Sequence, residues 1–217
     1  MRTVSFLLSL SSCVAALVAS AQDTTSKERP QDPITLNLKS DQGLLEVRFQ
    51  NRKLLTYSFA SNQFKPYVRE LYSLTGDNVL RDAPADHLHH HGLMYAIRVN
   101  GINFWEEAAQ SGHERSVKVL SHGTGRGPTG LPQATFRHLI HWVADKDKSL
   151  VDTELAALLL EQRTITVSVD ETRQEVALEW RGEFQVGPGA ARVTLTGSNY
   201  NGLGLRLPQT FDHVARH

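Results

Sequence analysis

From Ile34 onward the chain is written in a period of two. Ile34, Leu36 and Leu38 alternate with Thr35, Asn37 and Lys39, and the pattern returns in Leu44–Phe49 and Leu54–Phe59. Successive side chains of a strand point to opposite faces, so each such run can bury one face and wet the other. Asp41-Gln42-Gly43, Asn51-Arg52-Lys53 and Asn100-Gly101 punctuate the runs as turns. Further strands are predicted at Tyr67–Leu74, Leu93–Val99, Ile102–Trp105, Val117–Ser121, Ala134–Ala144, Glu175–Phe184 and Ala191–Gly197. In Ala134–Ala144 the residues Phe136, His138, Ile140 and Trp142 share one face. Leu155–Val169 opens on helix-favouring residues but continues through Thr164–Val169, which is plainly β, and the whole segment is read as strand. His122–Pro132, with four glycines and two prolines, is read as loop. Many short strands with little helix predict an all-β fold over residues 34–217, an antiparallel β-sandwich with a barrel as the alternative.

What precedes Ile34 has a different character. Arg2 supplies a positive charge, Val4–Val18 is apolar, and Ala19-Ser20-Ala21 is a small-x-small cleavage site. That three-part pattern predicts a signal peptide over 1–21 and a periplasmic or secreted protein. Residues 22–33 form a polar leader. Leu10-Ser11-Ser12-Cys13 also fits a lipoprotein box, but the apolar Val14–Val18 that follows disfavours it. Cys13 is the only cysteine, so removal of the signal leaves neither a disulfide nor a thiolate ligand. Any divalent metal would then be held by His and carboxylate groups. Lys plus Arg equals Asp plus Glu at 23 each, so no basic stripe for nucleic acid is indicated. Charged residues interrupt every apolar run after the signal, which excludes a transmembrane helix of roughly 20 apolar residues.

One stretch serves no packing pattern. Arg81-Asp82-Ala83-Pro84-Ala85-Asp86-His87-Leu88-His89-His90-His91-Gly92 holds four of the ten histidines. On extended backbone His87, His89 and His91 would share one face, and His87 with His89 could ligate a metal beside a carboxylate. Without metal the same residues suit sugar chemistry, because imidazole exchanges protons near neutral pH. His89, His90 and Glu107 are the catalytic candidates. Arg81, Asp86, His87, Trp105 and Arg206 are the substrate-binding candidates, Trp105 as a platform for a pyranose. Plainer roles compete: Arg81-Asp82 as a structural ion pair, Trp105 as core, and His138 and His141 as hydrogen-bonded structural histidines. The tract could also bind stray metal by composition alone.

The order Phe64-Lys65-Pro66-Tyr67, Gly76, Arg81–Leu93, then Val99–Glu107 resembles a bacterial family of unknown function commonly labelled "methane oxygenase PmoA". Tyr200–Leu207, with Gly-Leu-Gly-Leu-Arg, resembles a later motif of that family. The resemblance implies a galactose-mutarotase-like supersandwich, a fold that binds sugars in a cleft on a concave sheet. It also implies a copy that stops short of the family's usual C-terminus. The membrane-embedded methane monooxygenase subunit suggested by the label does not fit a chain without a spanning segment. Three readings stay open: a carbohydrate-active protein working by acid/base chemistry, a metal-dependent hydrolase or oxygenase, and a non-catalytic accessory sugar-binding domain.

Overall fold

The computed structural model describes residues 32–144, 150–197 and 201–211. The expected signal at 1–21 and the leader as far as residue 31 lie outside them. In chain order the strands are β1 (Ile34–Lys39), β2 (Leu44–Phe49), β3 (Arg52–Ser58), β4 (Tyr67–Leu71), β5 (Leu93–Ala96), β6 (Arg98–Val99), β7 (Ile102–Asn103), β8 (His113–Arg126) and β9 (Pro132–Val143). After the helix α1 (Leu150–Ala156) come β10 (Ala157–Asp170), β11 (Glu175–Val186), β12 (Leu195–Thr196) and β13 (Gly202–Leu205).

These strands make an all-β sandwich. One sheet has the order β1-β2-β3-β4-β5-β13 and the other β11-β10-β9-β8, with a small ribbon β12-β6-β7 beside them. Every pairing is antiparallel. The period-two pattern explains which faces meet. Ile34, Val47, Phe49, Leu55 and Tyr57 of the first sheet pack on Ala134, Phe136, Ile165, Val167 and Val169 of the second. In β10 buried and half-buried residues alternate along all of its length, as the central strand of a sheet covered on one face should. A second, smaller cluster of Val99, Phe104, Ile140, Trp142 and Leu159 sits under the ribbon.

Local signals hold where turn chemistry is strong. Asn100 and Gly101 take φ 50° and 81° and join β6 to β7, as an Asn-Gly hairpin turn requires. The β2–β3 turn falls one residue earlier than expected. Gln50 and Asn51 take positive φ, while Arg52 and Lys53 already belong to β3. Three expectations are corrected. His122–Arg126 is strand, not loop, because β8 pairs with β9 as far as Arg126 and only Gly127–Leu131 turns. Residues 155 and 156 end a helix, in keeping with their helix-favouring neighbours, and the strand begins at Ala157. Phe104 and Trp105 leave β7 after Asn103, whose side-chain oxygen accepts from the backbone N–H groups of Trp105 and Glu106.

Candidate functional site

Residues 81–92 cross from the end of the β4 region back to β5. The backbone there is not extended. The His87 N–H donates to Pro84 O, the His90 N–H to His87 O, and the Ala83 N–H to His90 O. The expected alternation of faces therefore does not apply. The tight turns instead gather His87, His89 and His90 into one cluster, with ring centroids 4.5–6.1 Å apart. Gly92 closes the loop against β4. A Cβ there would stand 2.5 Å from Val68 O, so no larger residue fits without moving that strand.

His91 points the other way, into the protein. Its Nδ1 lies 2.7 Å from Asp82 Oδ1 and its Nε2 lies 2.8 Å from Glu107 Oε1. Tyr67 stacks on the imidazole at 3.9 Å and 16°. Glu107 also accepts from Lys65 Nζ at 2.8 Å, and the same ammonium reaches Trp105 O. The lysine side chain is wholly enclosed. Burial disfavours a charged His91, but the hydrogen bonds to Asp82 and Glu107 outweigh it and raise its pKa above 6.5. Burial pulls Glu107 upward, yet His91 and Lys65 together bring it down to about 2. The result is an imidazolium clamped between two carboxylates, both of its nitrogens already used.

His90 is the opposite case. Burial, then the charges of His89, His87 and Arg206, lower its pKa to about 4. Burial and Lys65 lower His89 too. Neither ring makes a hydrogen bond to a described residue. The His90 ring lies parallel to the Trp105 indole at 5.4 Å, and the His89 ring stands edge-on to it. Both His90 and Trp105 border a cavity of about 190 Å³, whose wall also holds His91 and Arg206, with Met94 and Leu205 on its apolar side. In a ¹H–¹³C titration of the histidine Cε1–H signals, His90 is expected to titrate near 4 and His91 above 6.5. Both midpoints near 6.5 would contradict this arrangement.

The structure thus brings four of the predicted residues, His89, His90, Trp105 and Arg206, to one place. Glu107 lies behind His91 as a fixed carboxylate, and Glu106 beside it is exposed. Asp86 and His87 form an exposed pair at the rim, 3.1 Å apart, with Arg81 at 4.0 Å from Asp86. The expected Arg81–Asp82 ion pair is not formed, since Asp82 faces Arg69 and His91. His87 and His89 meet edge to face rather than converging on a point. Among the described residues no group of three or more His, Cys, Asp or Glu is placed to hold a metal ion. His138 and His141 are structural, bonded to Tyr57 with Ser116 and to Thr153.

Lys65 and Tyr67 were not among the predicted site residues, and Asp82 entered only as a charged partner beside Arg81. The signal for Lys65 was its place in Phe64-Lys65-Pro66-Tyr67, a lone charge among groups that bury. The segment is held from beneath by buried Arg163, which donates to Pro66 O at 2.7 Å, and by the Glu114 N–H, which donates to Phe64 O. Arg163 also binds Glu161 and Glu114, all three side chains being enclosed.

A family model described as "Family of unknown function (DUF6807)" matches residues 44–217. No curated protein and no solved structure matches the chain.

Proposed function

The chain belongs to the DUF6807 family of unknown function, and from that premise we propose that it is an exported carbohydrate-active protein whose cavity receives a sugar ring. One observation carries the reading. The neutral imidazole of His90, its nitrogens bonded to no described residue, lies parallel to the Trp105 indole at the wall of a cavity of about 190 Å³. An aromatic plane beside a hydrogen-bond acceptor matches a sugar's apolar face and its hydroxyl groups. The volume falls below the roughly 300–1,000 Å³ of drug-sized sites and suits a single ring. Export is read from Arg2–Ala21.

Within this reading His90 is the proton acceptor and His89 its neighbour at the mouth. At neutral pH both are uncharged and can take a hydrogen bond from a hydroxyl group. Glu107 serves the site indirectly, by holding His91 in its charged form. Among the described residues no helix is long and apolar enough to cross a membrane, and the reading needs no membrane partner. The test is a sugar panel titrated against the parent protein, Trp105→Ala and His90→Ala, followed by calorimetry. Each substitution is expected to weaken binding about tenfold, the equivalent of losing one stacking or hydrogen-bond contact of about 1.4 kcal/mol. Unchanged affinity in both folded variants would place the sugar elsewhere or nowhere.

A further inference from the structure

We propose that the ligand of this cavity is an acidic sugar, a uronate, whose carboxylate pairs with Arg206; this rests on the sugar-cavity reading above. Of the groups that line the cavity, Arg206 is the only permanent cation, and no Asp or Glu is among those described. Its guanidinium makes no hydrogen bond or ion pair with a described residue. Its Nε is buried without an acceptor, and so is the indole Nε1 of Trp105, another residue of the cavity wall. Two shielded N–H donors without acceptors are unusual in a folded protein and point to a group that is not part of the chain.

The neighbouring carboxylates are already committed. Asp82 meets His91 and Arg69, Glu107 meets Lys65 and His91, and Asp86 meets His87 and Arg81. None of these three carboxylates is therefore left to answer Arg206. The backbone of that residue is held in place beside the cavity. Its backbone N–H donates to Gly92 O at 2.8 Å, and its carbonyl accepts from the Arg81 N–H at 2.9 Å. The contrast with Arg163 in the same fold is instructive: there the guanidinium is saturated by Glu161, Glu114, Tyr57 and Pro66 O. A guanidinium offers a planar fork that matches a carboxylate with two parallel bonds. His90, uncharged beside it, would take a ring hydroxyl, and Trp105 would cover the ring's apolar face.

The probes are two matched pairs, glucuronate with glucose and galacturonate with galactose, the members of each differing only at C6. They are titrated into the full chain at pH 7 by calorimetry, at low and high salt. The parent is expected to prefer the uronate of at least one pair by about ten- to a hundredfold, the range of a charged hydrogen-bonded pair. That preference should shrink with salt. Arg206→Gln should bind acid and neutral sugar alike, and Arg206→Lys, which keeps the charge but loses the fork, should fall between. Circular dichroism and a thermal melt confirm that the variants are folded. Equal binding of acid and neutral sugar by the parent, with both lost in His90→Ala, would overturn the uronate assignment and leave the sugar cavity standing. A uronate preference that survives in Arg206→Gln would also overturn it. Binding of none of the four would sink this proposal and the sugar reading together.

Discussion

Arg163→Met is expected to lower the unfolding free energy by about 5 kcal/mol, the upper end for breaking a buried ion pair. The guanidinium is fully enclosed and donates to Glu161, Glu114, Tyr57 and Pro66 O. It also lies 4.3 Å over the Trp180 ring. Methionine fills much of the space but leaves Glu161 as a buried anion answered only by the Trp142 N–H at 2.9 Å. Removing one partner of such a group costs far more than the pair contributes, because the other charge stays desolvated. For a fold of this size the loss corresponds to a melting temperature lower by about 10–20 °C, readable in a thermal or urea melt. A change under about 1 kcal/mol would show that this network is not what holds the Phe64–Tyr67 segment.

Glu114→Gln makes the contrast. Burial pushes the Glu114 carboxyl up to about 7 against the pull of Arg163, so at neutral pH the folded protein already carries it partly protonated. The amide should cost within about 1 kcal/mol. The sign of the pH effect follows. Between its ordinary 4.5 and about 7, Glu114 binds more proton in the folded state than in the unfolded. Its contribution is whole below 4.5 and is lost as pH rises through 7. Glu114→Gln should therefore flatten the fall in stability over that window.

The second large effect is expected at Lys65. Lys65→Met should cost about 3 kcal/mol, the lower end for a broken buried pair, because Glu107 keeps some contact with water while the lysine has none. It should also change the site's protonation. Losing the ammonium removes one of the two influences that hold Glu107 near 2, so the Glu107 pKa rises. It likewise removes a like charge from His91, whose pKa should rise further. A histidine titration separates this from plain destabilisation: His91 must shift upward in a variant that is still folded. A His91 midpoint that does not move would mean that Lys65 only packs.

These two residues also show where reading the chain by itself runs out. The sheets were legible because burial alternates with the pleat, and Ile34–Lys39 or Pro132–Val143 can be read two residues at a time. The gathering of His89, His90 and Trp105 was legible in part, because those residues are unusual where they stand. The His91 clamp was not. Asp82, His91, Glu107 and Lys65 are brought together by three loops, the 81–92 loop, the segment before β4 and the segment after β7, and nothing local marks which carboxylate will meet which base. The His122–Arg126 stretch misled for a related reason. Its glycines disfavour a strand locally, but twelve pairings to β9 along the hairpin override the preference. Arg163 was invisible for the simplest reason, since on its own strand it occupies an inward position like its apolar neighbours.

The place of β13 has a consequence for the order in which the fold closes. It pairs with β5 and carries Arg206 just beyond its end, opposite a loop made much earlier in synthesis. His91 stands 115 positions before Arg206, so a chain that emerges from its N-terminus presents the first well before the second. Throughout that interval five of the first sheet's six strands can assemble while the cavity still lacks Arg206. A ligand of this cavity therefore cannot guide the early pairing of strands. It can act only afterwards, by mass action on finished molecules, so that added ligand should raise the yield of survivors after heating without changing the rate at which the first strands pair.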